Sequence, residues 1–148
     1  MRLRKLNDTD REAVTALFLE VFSGDPWHDD WSSRDQLTAY IDDLTGQRNS
    51  LALGYFDGAQ LCAASLGCVK HWFRGTEYCV DEFFVDPRLQ GRGTGTAFLR
   101  ETEALLREMG IRAIFLQTGR TVPAFAFYLK NGFSELEDHV SLSKRIPE

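Results

Sequence analysis

A strand-like run ending at Val85 and an amphipathic stretch starting near Gly93 are joined by Asp86-Pro87-Arg88-Leu89-Gln90-Gly91-Arg92-Gly93-Thr94-Gly95. Three glycines alternate in this junction. Residues without a Cβ allow a turn through positive φ and a close approach to a ligand, so successive N–H groups converge on one anion at a helix N-terminus. A diphosphate is the natural occupant. Two other phosphate loops fit poorly. The triphosphate loop needs GxxxxGK followed by Ser or Thr, and no lysine follows these glycines; the dinucleotide turn needs GxGxxG, and Phe98 stands where its last glycine would be. The bland reading is a tight turn with no ligand.

The elements around the turn follow from periodicity. Residues 2 to 6 predict a short strand, and Thr9 with Glu12 reads as a capping box. Behind it Val14, Leu17, Phe18, Val21 and Phe22 recur at helical spacing until Gly24. The segment Asp25 to Trp31 breaks that spacing and is a loop; Ser32 or Ser33 caps a second helix carrying Leu37, Tyr40, Ile41 and Leu44, which Gly46 ends. Strand formers run from Leu51 to Phe56 and Gln60 to Lys70 about Asp57-Gly58, a pair suited to a type I′ turn. After Arg74-Gly75 another strand spans Thr76 to Val85 and stops at Pro87. The glycine turn then opens a helix to Met109, Ile111 to Gln117 is a strand, and Pro123 to Asn131 a last helix ended by Gly132. Phe133 to Arg145 supplies one or two final strands. The order β-α-α-β-β-β-α-β-α-β predicts an α/β (α+β) sandwich with helices on both faces of a mixed sheet.

At 148 residues, with 43% hydrophobic and 26% charged residues, the chain fits a single domain, 1–148, with an ordinary core. A net charge of −5 disfavours nucleic acid and suits a cationic partner better. No apolar run is long enough to cross a bilayer, and the first residues lack a secretory signal, so no membrane is involved and the expected location is cytoplasmic. Cys62, Cys68 and Cys79 are read as reduced core thiols. His28, His71 and His139 are scattered, so no metal site is assigned.

Gln90-Gly91-Arg92-Gly93-Thr94-Gly95 resembles the Q/R-x-x-G-x-G/A turn of the GNAT superfamily of N-acetyltransferases, preceded as in that family by a strand ending in Val-x-Pro. Ala124-Phe125-Ala126-Phe127-Tyr128-Leu129-Lys130-Asn131-Gly132-Phe133 is similar to the family's A-x-x-x-Y-x-K-x-G-F segment. The resemblance covers about residues 50 to 135 by motif and the rest by element order. It implies a mostly antiparallel sheet of six to seven strands with about four helices, whose fourth and fifth strands splay to admit the pantetheine arm of acetyl-CoA. It also implies that the backbones of Phe84 and Val85 pair with pantetheine, and that amides of Gln90, Gly91, Arg92, Gly93, Thr94, Gly95 and Thr96 hold the diphosphate. Thr121 stands where many members carry Asn, and its hydroxyl still donates and accepts. Lys130 is placed to reach a coenzyme A phosphate or, equally, to complement its helix's dipole. By analogy with the family, a homodimer is the expected assembly.

An ammonium acceptor must lose a proton before it attacks a thioester, and Asp81 and Glu82 are the candidate bases. Side chains alternate along a strand, so only one is expected to face the cleft; Glu82 is preferred and Asp81 second. Tyr128 stands at the family's usual thiolate-protonating position, although tyrosines on such helices are also simply core. The loop from Asp25 to Trp31 lies, in the family, over the acceptor cleft. Its Trp27, Asp29, Asp30 and Trp31 suit an alkylammonium through cation–π attraction and charge pairing, or anchor the loop with acids in water. The implied activity is direct transfer of acetyl to a primary amine of a small, cationic acceptor. The alternatives are a CoA-binding regulatory module and a protein N-terminal or lysine acetyltransferase.

Overall fold

Gly58 and Ala59 reverse the chain between strands β2 (Ser50–Asp57) and β3 (Gln60–Trp72). Asp57 still pairs with Gln60, and of the two turn residues only Gly58 takes a positive φ, +57°. The type I′ turn expected at Asp57-Gly58 thus gives way to a turn one residue later with a glycine in its first position. The computed structural model describes residues 1–148. They form two compact units, Met1–Gln117 and Thr118–Glu148.

In the first unit, β1 (Arg2–Lys5), β2, β3, β4 (Gly75–Val85) and β5 (Ala113–Leu116) lie in that order in one sheet. The first four are antiparallel, and β5 runs parallel to β4. Helices α1 (Arg11–Ser23) and α2 (Arg34–Thr45) cover one face, burying Phe18, Phe22, Leu37 and Ile41 against Leu66 and Phe84. Helix α3 (Thr94–Glu108) covers the other, burying Phe98 and Leu106 against Leu53, Tyr55 and Tyr78. Phe18 is central to the first layer, with ring contacts to Phe22, Trp31, Tyr40 and Phe84. Truncating a buried Phe of this kind to Ala costs about 3–5 kcal/mol.

The ladder between β3 and β4 slips once. Leu66 pairs with Glu82 and Gly67 with Val80, so Asp81 is the extra residue of a β-bulge. Glycine at 67 makes room for it: a Cβ there would lie 2.2 Å from the carbonyl oxygen of Cys79. Ahead of the bulge Tyr78 and Val80 pack on the α3 side; beyond it Phe83 and Val85 do. Strict alternation therefore fails at Asp81 and Glu82, and both carboxylates turn to the α2 side, where one alone was expected.

The parallel ladder ends where Val80 meets Leu116. From Asp81 to Val85 the outer edge of β4 carries no strand of the sheet.

Two further expectations change. The first helix is entered through Asn7 and Asp10, not Thr9 and Glu12: the Asn7 side chain accepts from Thr9 N, and Asp10 accepts from Asn7 N at 2.9 Å. Asp10 is also held by the Arg4 guanidinium at 2.7 Å, a partner thirteen-residue helix patterns cannot reveal. The sheet has five strands instead of six to seven. In the second unit α4 spans Pro123–Lys130 and Gly132 stops it at φ +90°, but residues 133–148 form no strand. Leu136, Val140, Leu142 and Ile146 are exposed. Interspersed Glu135, Glu137, Asp138, Lys144 and Arg145 leave them no continuous apolar face to bury.

Candidate active site

The glycine turn is held from below by Asp86. Its carboxylate is 2% exposed on a residue basis and accepts from Arg88 N at 2.9 Å, Arg88 Nε at 2.9 Å and Arg88 Nη2 at 2.6 Å. The Arg88 guanidinium, aided by the Arg88 amide, keeps Asp86 ionised below the usual carboxylate range against the opposing effect of burial. Gln90 ties the turn to the strand by donating Nε2–H to the Val85 carbonyl at 3.0 Å. Gly91 and Gly93 then adopt φ +71° and +83°, and a Cβ added to either would meet no protein atom within 4 Å. Gly93 caps α3 without a side-chain bond. The first intrahelical donor is Ala97 N, to Gly93 O at 3.0 Å, so the amides of Thr94, Gly95 and Thr96 have no helical acceptor. Unpaired donors, the positive end of a 15-residue helix and open space above two glycines are what an anion needs.

The strand leading into the turn offers a second set of donors. Asp86 N donates to Cys62 O at 2.8 Å. In an antiparallel pair the neighbouring residue's groups point the other way, so Val85 N–H faces the edge that β5 does not cover. The Phe84 side chain is committed to the core, 5.8 Å from Phe18 and 5.7 Å from Phe22 between ring centroids. By the same alternation the N–H and C=O of Phe84 point to β3, opposite Ala64, so at the open edge Val85 and not Phe84 offers its backbone groups.

On the α2 side Tyr40 donates its phenol proton to Glu82 Oε1 at 2.7 Å. Burial raises the pKa of Glu82; Tyr40 opposes that rise, while Asp81 and Asp29 add to it. Asp81 is raised by burial and partly restored by Lys70. It lines a polar cleft of about 240 Å³ with Asp43, Gln47, Asn49, Cys68 and Lys70. Trp31 stacks on Tyr40 at 5.3 Å with planes 13° apart, and its Nε1 is buried without a hydrogen-bond partner.

The structure thus brings Glu82, Asp81, Asp29, Trp31 and Tyr40 together, one acid pair beside an aromatic wall. Trp27 packs on Phe22 at 5.6 Å, and Asp30 accepts from Ser32 N at 3.0 Å. Asp25 is paired with His28. Sequence reasoning missed three participants. Gly67, a glycine inside a strand pattern, was a readable sign of the bulge. Asp86 before Pro87 matched a turn cap. Tyr40 lay on a predicted apolar helix face with nothing to mark its phenol.

In the second unit Tyr128 is buried on α4, its ring 5.3 Å from Phe127 and 5.2 Å from Phe133. Lys130 is exposed in the last turn of α4, and Thr121 is exposed before its start. No trio of His, Cys, Asp or Glu side chains is grouped to hold a metal ion. No helix is long and apolar enough to cross a membrane.

Comparison with known proteins adds to this geometry. The family model of the acetyltransferase (GNAT) family matches residues 11–133. No curated protein sequence matches significantly. Among solved structures, AAC(6')-Iy in complex with the bisubstrate analogue CoA-S-monomethyl-acetylneamine superposes with a TM-score of 0.74 at 16% identity, covering 98% of each chain. The aminoglycoside 6'-N-acetyltransferase AAC(6')-IG of Acinetobacter haemolyticus gives 0.73 at 18% identity over 99% of this chain and 100% of that one. The ribosomal-protein-alanine N-acetyltransferase of Brucella melitensis gives 0.76 at 17% identity, again over 99% and 100%.

Proposed function

We propose that this chain, which belongs to the acetyltransferase (GNAT) family, transfers acetyl from acetyl-CoA to a primary amine of a small, cationic acceptor. The transfer is direct, with both substrates bound at once and residues 1–148 acting as one catalytic domain. The acyl donor used by the family supplies an activated thioester carbonyl. Amides from Gln90 through Thr96 receive its diphosphate, the outward-facing backbone of Val85 meets its pantetheine arm, and Thr121 and Lys130 add side-chain contacts.

The acceptor enters from the α2 side as an ammonium. Glu82 removes one proton, the freed nitrogen lone pair forms the new C–N bond, and the oxygen that gains charge is met by Val85 N–H. The C–S bond breaks next. Its electron pair leaves on sulfur, which takes a proton from Tyr128. The nitrogen gives up its second surplus proton, which passes through water to the Tyr128 phenolate, so the products are a neutral amide, a free thiol and the one proton held by Glu82. Asp81 stands beside Glu82 as the second carboxylate able to serve as base.

One observation carries the choice of acceptor. The bulge at Asp81 sets two carboxylates on one face, with Asp29 near Glu82 and the Trp31–Tyr40 stack alongside. An alkylammonium is attracted by both the charge and the ring faces. The aminoglycoside acetyltransferases among the structural relatives support the same class.

Thiol release with spermidine, an aminoglycoside, an alanine-initiated peptide and a lysine peptide tests the reading. Turnover of the first two, reduced roughly 10²- to 10⁴-fold by Glu82→Gln, is expected. Turnover of the peptides alone would replace the acceptor class. Acetyl-CoA binding without turnover of any amine would point to a binding module instead.

A further inference from the structure

One hydrogen bond ties α2 to the bulged strand at the point where chemistry is proposed. Tyr40 O–H meets Glu82 Oε1 at 2.7 Å across 42 residues of sequence. The phenol is itself immobilised. Trp31 stacks on it at 5.3 Å and Phe18 meets it edge-on at 5.8 Å, so its oxygen cannot swing away without breaking two ring contacts. Of the two Glu82 carboxylate oxygens, only Oε1 receives a hydrogen bond.

We propose that Tyr40 is a positioning residue for the acetyl transfer: it pins Oε1 of Glu82 against α2 and leaves Oε2 as the atom that takes the acceptor's proton. This rests on Glu82 being the base. A flexible carboxylate must otherwise find its reactive rotamer in each turnover, and loss of geometry of this kind is expensive in rate. A second consequence is electrostatic. The charged groups facing Glu82 are Asp81 of β4 and Asp29 of the loop before α2, with Lys70 of β3 facing Asp81. Both neighbours disfavour a second negative charge, as does burial, and the phenol is the one group opposing them. Burial and Glu82 also hold Tyr40 well above its ordinary value, so it stays a donor wherever Glu82 titrates.

Tyr40→Phe removes one oxygen and keeps the ring stack. In the free protein, the ¹³Cδ resonance of Glu82, assigned by its loss in Glu82→Gln, should titrate about 1 pH unit higher in Tyr40→Phe. The acid limb of kcat/KM, read with whichever amine the thiol-release screen turns over, should move upward by the same amount. Plateau kcat should fall about tenfold with acceptor KM unchanged. In the Glu82→Gln background, Tyr40→Phe should alter kcat/KM by less than about twofold. A purely structural tie would lower thermal stability and leave the titration in place. An unmoved Glu82 midpoint, or fully additive losses in the double variant, overturns the role of Tyr40 and leaves Glu82 as the base. Full activity of Glu82→Gln overturns the functional reading itself. The NMR titration needs no acceptor, so it decides even if the screen turns over no amine.

Discussion

Replacing Gly93 with Val separates the turn's architectural role from its binding role. At φ +83° a residue with a Cβ is strained by about 1–2 kcal/mol, but no protein atom lies within 4 Å of the added carbon. The variant should therefore fold. For a chain of this size about 1–2 kcal/mol lowers the melting temperature by roughly 2–8 °C. Binding should suffer far more, because the valine side chain stands in the open space above Thr94, Gly95 and Thr96 N–H. Losing two charge-assisted hydrogen bonds to a diphosphate, at about 1.5–3 kcal/mol each, weakens acetyl-CoA binding by roughly 100-fold or more. Gly110→Val is the control. It sits at φ +76° with equally empty surroundings, beyond the far end of α3 and about 25 Å away at the helical rise. Calorimetric titration with acetyl-CoA, alongside melting followed by circular dichroism, reads both quantities. Equal loss of stability in the two variants with weakened binding only in Gly93→Val supports the account. Wild-type affinity in a folded Gly93→Val protein would refute it.

Glu82→Gln should gain stability relative to the wild type as pH rises. Burial raises the folded pKa of Glu82, so its contribution is fully present below the ordinary carboxylate value and is lost as pH rises through the raised one. A difference in melting temperature that does not change between pH 4 and 8 would contradict this. Asp86 behaves oppositely: its folded pKa is depressed, chiefly by Arg88, so its contribution exists above the ordinary value and disappears as pH falls through the depressed one. Asp86→Asn should cost about 1–3 kcal/mol at neutral pH by denaturant titration and much less in strong acid. Gly67→Ala drives a Cβ to 2.2 Å from Cys79 O; it should destabilise by about 1–3 kcal/mol and reduce turnover sharply, because the bulge that aims both carboxylates must shift. Full turnover there would show that the bulge is dispensable. Trp31→Ala should raise the acceptor KM by roughly 3- to 30-fold, the worth of one cation–π contact, and leave acetyl-CoA affinity unchanged.

What could be read from the sequence was local, and what could not was long-range. Gly58 announced its hairpin, though the turn falls on Gly58-Ala59 and not on Asp57-Gly58, and the alternating glycines announced the entry to α3, because φ at a glycine depends on the residue itself and its immediate neighbours. The bulge depended on Gly67 meeting Cys79 across the ladder, a pairing that single-strand alternation does not contain. For that reason Asp81 and Glu82 were expected on opposite faces and lie on one. The Tyr40–Glu82 bond joins residues 42 apart, and the donor had no local mark beyond an apolar helix face. Arg4 reaching Asp10 moved the helix entry from Thr9 and Glu12 to Asn7 and Asp10 in the same way. The tail failed for a different reason. Val140, Leu142 and Ile146 have strand chemistry, but a strand also requires a partner surface, and in the structure they remain exposed.

A crystal grown with acetyl-CoA shows where the diphosphate is bound. The account predicts diphosphate oxygens about 3 Å from the amide nitrogens between Gly91 and Thr96, with the thioester carbonyl along the uncovered edge of β4 beside Val85. Density for the diphosphate at any other surface, with those amides still facing solvent, would contradict it.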